Sequence, residues 1–220
     1  MLRRFTMSIN KNTIWTIFGF LCALQSPLLF SILPFIPKTA IPNLTAIMYV
    51  LGAVVLSMIN LKTNKEATLS REKDDYGLII SLGLVSIIGS FFLQSILAMI
   101  EIVVFNQPMG SQNTADITAI IKSSPFFIIA VTIAGPIMEE FVFRFSLINW
   151  LNQKLNIWLS AIISSALFAV MHVDGHYLVY GGLGFLFFLI YRKTGSILTS
   201  IIAHAGMNTL VIVLQLLFVK

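Results

Sequence analysis

The sequence predicts an all-α fold, a polytopic membrane bundle of about seven transmembrane helices with its N-terminus in the cytoplasm, and three observations carry that expectation. Of the 220 residues, 57% are apolar and only 10% are charged, with a mean hydropathy of +0.92. No polar block is long enough to fold as a soluble domain, so residues 1–220 read as a single integral membrane domain. Apolar runs recur along the whole chain, and Lys and Arg collect in every second connection between them. The net charge of +5 is therefore a matter of topology. It does not line one polar face, as binding to nucleic acid would require, and the lipid bilayer is the expected partner.

The runs follow in order at about 13–35, 43–61, 77–105, 125–151, 157–173, 177–191 and 196–219, where a perpendicular span needs ~20 residues. The first is too long for the ~7–15-residue core of a signal peptide and has no small-x-small cleavage site, so it is read as a retained span. Its Cys22, the single cysteine, has no partner for an internal disulfide and is read as packing. The third and fourth runs are long enough to tilt or protrude. Ser124 and Pro125 read as N-cap and N1 of the fourth. The fifth and sixth are short enough to be re-entrant, joined at half depth, or fitted to a thinned bilayer. Gly195 and Ser196 break the chain before the seventh.

Alternate connections place Arg3, Arg4, Lys11, Lys62, Lys65, Arg71, Lys73, Lys154, Arg192 and Lys193 on one side. Lys38, Lys122 and Lys220 fall on the other, and this asymmetry puts the N-terminus in the cytoplasm and the C-terminus outside. The 62–76 connection, with Glu66, Glu72, Asp74 and Asp75, is then a solvated cytoplasmic linker.

Charge inside the spans is the informative exception. Glu139, Glu140 and Arg144 share the fourth run, although an ionisable side chain near the bilayer centre costs roughly 2.5–3.5 kcal/mol on insertion scales. His172 and His204 lie on later runs. At 1.5 Å per residue Glu139 stands ~18 Å above the cytoplasmic end of its helix, with His204 at ~12 Å, Asn208 at ~18 Å and His172 at ~23 Å. Three helices can thus deliver these groups to one layer of the membrane.

Helical angles divide their work. Glu140 and Arg144, four apart, differ by about 40° and share a face, while Glu139 points about 100° away. Glu140 then pairs with Arg144, acid first, and Glu139 is free to face a cavity as a general base. His204 and Asn208, also four apart, present two donors suited to an oxyanion, as amide hydrolysis requires. Glu139 with His172 would activate the water. Pro136 removes a backbone hydrogen bond one turn before the acids and predicts a kink. Glu101, near the outer end of the third span, is read as snorkelling to water, and His176 as interfacial. The 18 phenylalanines are read as packing or lipid-facing, and Gly181, Gly182 and Gly184 as permitting close helix contact.

The set Glu139-Glu140-x-x-x-Arg144, Phe168-x-x-x-His172 and His204-x-x-x-Asn208, in that order, resembles the CPBP family of CAAX prenyl endopeptidases and bacteriocin-processing or immunity proteins. Thr194-Gly195-Ser196-Ile197 before the last motif is similar too, and the resemblance covers about 125–210, which it marks as the catalytic core. It implies an intramembrane endopeptidase of a bacterial cell membrane acting on a membrane-associated peptide or protein, lipidated or not. Glu139 and His172 would activate water, His204 and Asn208 would hold the oxyanion, Glu140 and Arg144 would organise the site, and Phe168 would pack on His172.

Two mechanisms stay open. One uses a metal-free, glutamate-activated water; the other uses a single divalent metal such as Zn held by Glu139, His172 and His204. No H-E-x-x-H is present. The rival class is a non-enzymatic membrane immunity or binding protein, in which the polar cluster is structural. A transporter stands third, since repeated halves and matched broken helices are not visible.

Overall fold

The computed structural model describes residues 2–61, 68–69 and 75–218, with side chains from residue 11 onward. All regular elements among them are helical. The side chains of Arg3 and Arg4, together with Lys62, Lys65, Arg71, Lys73, Lys220, Glu66, Glu72 and Asp74, lie outside the described residues. Nine helices follow one another among the described residues: α1 (Leu2–Leu24), α2 (Ser26–Ser31), α3 (Ile41–Leu61), α4 (Tyr76–Phe105), α5 (Gln112–Ser123), α6 (127–151), α7 (Ile157–Met171), α8 (Tyr177–Thr194) and α9 (Ile197–Phe218).

Three helical stretches among the described residues, Lys38–Leu61, Tyr76–Phe105 and Ile197–Phe218, are long and apolar enough to cross a membrane. Helix α4 shows how such a rod is sided: Ile80, Leu84, Ile88 and Phe92, four residues apart, are exposed, while Gly83, Ser86 and Ser90 are buried against the bundle. Apolar surface displayed in this way suits lipid.

Two expected runs, the first and the fourth, depart from simple rods, while the short fifth and sixth are each one unbroken helix. The first is broken: α1 ends at Leu24 and α2 starts at Ser26 with Pro27 in its first turn, where proline's missing N–H is tolerated. Cys22 is exposed on the outside of α1 rather than packed. Helix α7, at 15 residues, spans about 22 Å, and α8, at 18 residues, carries Arg192 and Lys193 in its last turn. Ser124 does not cap the fourth helix. It closes the unforeseen α5, donating its N–H to Ile120 at 2.7 Å, and α6 begins only at Phe127.

Helix α6 lies at the centre, against α1, α3, α7 and α9, and every residue from Glu140 to Asn149 is buried. It alternates between α and π geometry, with π segments at Ala130–Ala134 and Glu140–Leu147. Wide turns of this kind leave carbonyls short of partners, and in a membrane such backbone survives only where protein groups satisfy it. Neighbouring side chains do so. Ser164 Oγ donates to the Phe143 carbonyl (2.6 Å), Asn149 Nδ2 to Phe145 (2.6 Å), Thr13 Oγ1 to Ser146 (3.5 Å) and Asn208 Nδ2 to Val131 (3.2 Å). Pro136 sits five residues after Val131, where a π-type amide donor would be needed, and Asn208 from α9 takes that place.

Glu101 and His176 also differ from expectation. Glu101 is 2% exposed and, from α4, accepts the Leu178 and Val179 amides at 2.6 and 3.3 Å. These are orphan donors at the start of α8, and a carboxylate is favoured there. His176 is buried, with Nδ1 2.7 Å from Glu101 and Nε2 3.2 Å from the Gly110 carbonyl. Glu101 does not reach out to water, and His176 is buried beside it; the need to close the α8 N-terminus draws both inside the bundle.

Glu101→Ala strips those partners at once. The expected loss is about 3 kcal/mol, read as a lowered thermal midpoint of the detergent-solubilised protein, with Glu101→Gln intermediate.

Candidate active site

Helix α6 presents Glu139 and Glu140 to different surroundings, as the 100° turn between them demands. Glu140 is fully buried and Oε1 lies 3.4 Å from Arg144 Nη1, the expected i, i+4 pair. The Arg144 guanidinium, 1% exposed, stacks over Phe168 at 4.0 Å, with Phe187 at 5.4 Å and Phe143 at 5.9 Å. Its terminal nitrogens make no hydrogen bond among the described residues, so ring faces and one carboxylate compensate the buried cation. Gly184 on α8 makes the room: a Cβ there would stand 3.2 Å from Arg144 Nη2.

The same carboxylate oxygen of Glu140 reaches His204. His204 Nδ1 is 2.8 Å from Glu140 Oε1, and Nε2 is 3.5 Å from Glu139 Oε2. A carboxylate only accepts, so Nδ1–H donates to Glu140 and the ring is held with Nε2 toward Glu139. Phe187 stacks on the imidazole, with centroids 4.7 Å apart and planes at 21°.

His172 caps α7. Its Nδ1 lies 2.8 Å from the Phe168 carbonyl, which can only accept, so in the neutral ring Nε2 keeps its lone pair. Phe168 meets it edge-on at 4.6 Å and Tyr180 stacks on it at 3.8 Å.

Glu139, His172, His204 and Asn208 line one cavity of about 320 Å³. All four are residues expected from the sequence; Phe168 lines the same cavity, and Glu140 and Arg144 stand behind it. One assignment changes in part. Asn208 spends an amide hydrogen on Val131, leaving one of two for the cavity. The three groups considered as zinc ligands do not form a metal-holding cluster among the described residues.

Sequence reasoning missed Tyr49 of α3, the α5 N-terminus, and above all the α8 face carrying Tyr180 and Phe187, all of which line the cavity. Tyr180, Gly184 and Phe187 are spaced four and three apart, so one stripe of α8 serves both histidines and Arg144. That spacing was the available signal, but aromatic and glycine residues in a span are ordinarily packing.

Residues 121–210 match the family described as Type II CAAX prenyl endopeptidase Rce1-like. The chain is 35% identical over 173 residues to the candidate membrane peptidase YdiL of Bacillus subtilis, covering 78% of this chain and 71% of that protein. The chain belongs to the Rce1-like CAAX endopeptidase family. A second relative, the membrane-embedded CAAX protease MroQ of Staphylococcus aureus, is 29% identical over 199 residues, 84% of this chain and 81% of that one. No solved structure matches. The stretch matched to the Rce1-like family contains all three polar motifs.

Arg144→Ala strands Glu140 beside His204 with no cation behind it. Folded yield falls, and stability drops by about 3–5 kcal/mol; Glu140→Gln in the same protein recovers part of it, which a chemical or thermal unfolding series in detergent will measure.

Proposed function

We propose that the chain is an integral membrane endopeptidase that hydrolyses a peptide bond in a membrane-associated protein or peptide of a bacterial cell, with residues 125–210 as its catalytic core. The observation that carries this reading is the convergence of Glu139, His172 and His204, from three different helices, on one cavity. The names of YdiL and MroQ point the same way. Under this reading the chain crosses the bilayer about seven times with its N-terminus in the cytoplasm.

The chemistry follows from the donor set. A water between Glu139 and His172 gives one proton to the Glu139 carboxylate while its second hydrogen is held by His172 Nε2, and its oxygen attacks the carbonyl carbon. The carbonyl oxygen gains the negative charge and takes hydrogen bonds from the free Asn208 amide hydrogen and from Nε2–H of doubly protonated His204. Collapse breaks the C–N bond, and Glu139 passes its proton to the leaving nitrogen. Donors fixed before reaction stabilise developing charge without reorganisation. A lipidated tail would meet a site walled by apolar helices, and so would an unmodified amphipathic segment.

Glu139 is 23% exposed, so Glu139→Ala should leave the membrane-inserted fold intact while cleavage falls by at least ~10²-fold. Peptides released by cells carrying wild-type or substituted protein, compared by mass spectrometry, supply the readout. Full activity of the variant would remove the assigned base, and biological protection surviving the substitution would favour a binding or immunity role. For the metal, elemental analysis of purified active protein is expected to find no stoichiometric zinc and chelation to leave the rate unchanged. Zinc lost together with activity overturns the metal-free route.

A further inference from the structure

His172 occupies a weak position for a group that must be held accurately. It is the C-cap of α7, beyond the last helical residue, and Val173 follows at φ 56°, a left-handed conformation that a β-branched side chain adopts only under strain. Gly175 at φ 87° completes the turn. Helical packing alone therefore does not set the imidazole plane.

Two of its contacts belong to its own helix: the Phe168 carbonyl and the Phe168 ring edge, one turn back. Both move with α7. The third, the stacked face of Tyr180, comes from α8 and ties His172 to the rest of the bundle, with planes 21° apart. Tyr180 is itself clamped at the far end. Its hydroxyl donates to Asp174 Oδ2 at 2.9 Å, and the same oxygen accepts from Ser111 Oγ at 2.6 Å. Asp174 Oδ1 accepts the His176 amide at 3.3 Å. Ser111 is the N-cap of α5, taking the Thr114 amide at 3.1 Å, so the start of α5 and the ring beneath it share one carboxylate.

We propose that Tyr180 is a positioning residue for His172: its ring sets the imidazole plane so that Nε2 faces the cavity, and Asp174 holds that ring through the phenolic hydroxyl. The inference rests on the reading of His172 as the partner of Glu139 in water activation. Its effect belongs in turnover rather than in substrate affinity, because misplacing a reacting group by ~1 Å can cost about 10²-fold.

The test uses full-length protein in detergent micelles and an internally quenched apolar peptide chosen because wild type cuts it and Glu139→Ala does not. Tyr180→Leu, which removes the stacked face, should lower kcat about 10²-fold with KM within about threefold. Tyr180→Phe keeps the face and loses the tie to Asp174; kcat should fall about three- to tenfold, and Asp174→Asn should match it. In a His172→Ala background Tyr180→Leu should lower the residual rate no further, as expected of residues acting as one unit.

Wild-type kcat in Tyr180→Leu overturns the inference. So does a raised KM at unchanged kcat, which marks a substrate contact, or a full further loss in the His172→Ala background. Should Tyr180→Leu fail to fold, the Tyr180→Phe and Asp174→Asn pair decides: a matched fall in kcat supports the tie, and wild-type kcat in both refutes it. Full activity of His172→Ala would instead refute the proposed function itself.

Discussion

The arrangement depends on one buried carboxylate oxygen. Glu140 Oε1 faces Arg144 Nη1 at 3.4 Å and His204 Nδ1 at 2.8 Å. A fully buried glutamate is unfavourable alone, and a buried guanidinium equally so. Joined, each makes the other tolerable, and the second contact turns the pair from a structural device into an orienting one. His204 cannot rotate without leaving Glu140 short of a donor. Its other nitrogen is consequently aimed at Glu139 and the cavity.

The backbone around that oxygen is irregular for a related reason. A regular α-helix over 127–151 would satisfy itself and demand nothing of its neighbours. The two π segments instead hand carbonyls to Ser164, Asn149, Thr13 and Asn208, drawn from α7, α6 itself, α1 and α9. Each of these bonds is a local requirement of backbone in a dehydrated interior. Together they pin α6 to its surroundings at several heights. The helix that carries the acids is thereby tied to α1, α7 and α9.

How much of this could be read beforehand varies with the range of the interaction. The Glu140–Arg144 pair was legible because four-residue spacing is local geometry, and the shared layer of Glu139, His172 and His204 because rise per residue is nearly constant. The roles of Tyr180 and Phe187 were not, since stacking depends on which helix lies beside which, and periodicity does not state that. Glu101 and His176 were misjudged for the same reason: the orphan amides of α8 that draw Glu101 inside belong to a helix about 75 residues away. Helix α5 was hidden by its mixed composition, and the break at Gln25 by the unbroken hydropathy of the run around Pro27.

Two adjacent glutamates thus end with opposite duties. Glu140 is closed off from the cavity and has its charge spoken for by Arg144 and His204. Glu139 keeps partial exposure and, among the described residues, a single ion-pair contact at 3.5 Å, looser than a hydrogen bond. The base of the proposed reaction has to exchange partners during turnover, which a carboxylate already tied to Arg144 and His204 could not do without dismantling the wall behind it. Helical pitch alone separates these environments, because consecutive residues differ by 100°. An acidic dipeptide on a buried helix therefore yields one anchored carboxylate and one left open to the cavity, and the rings of α8 complete the division by stacking on the two histidines that face them.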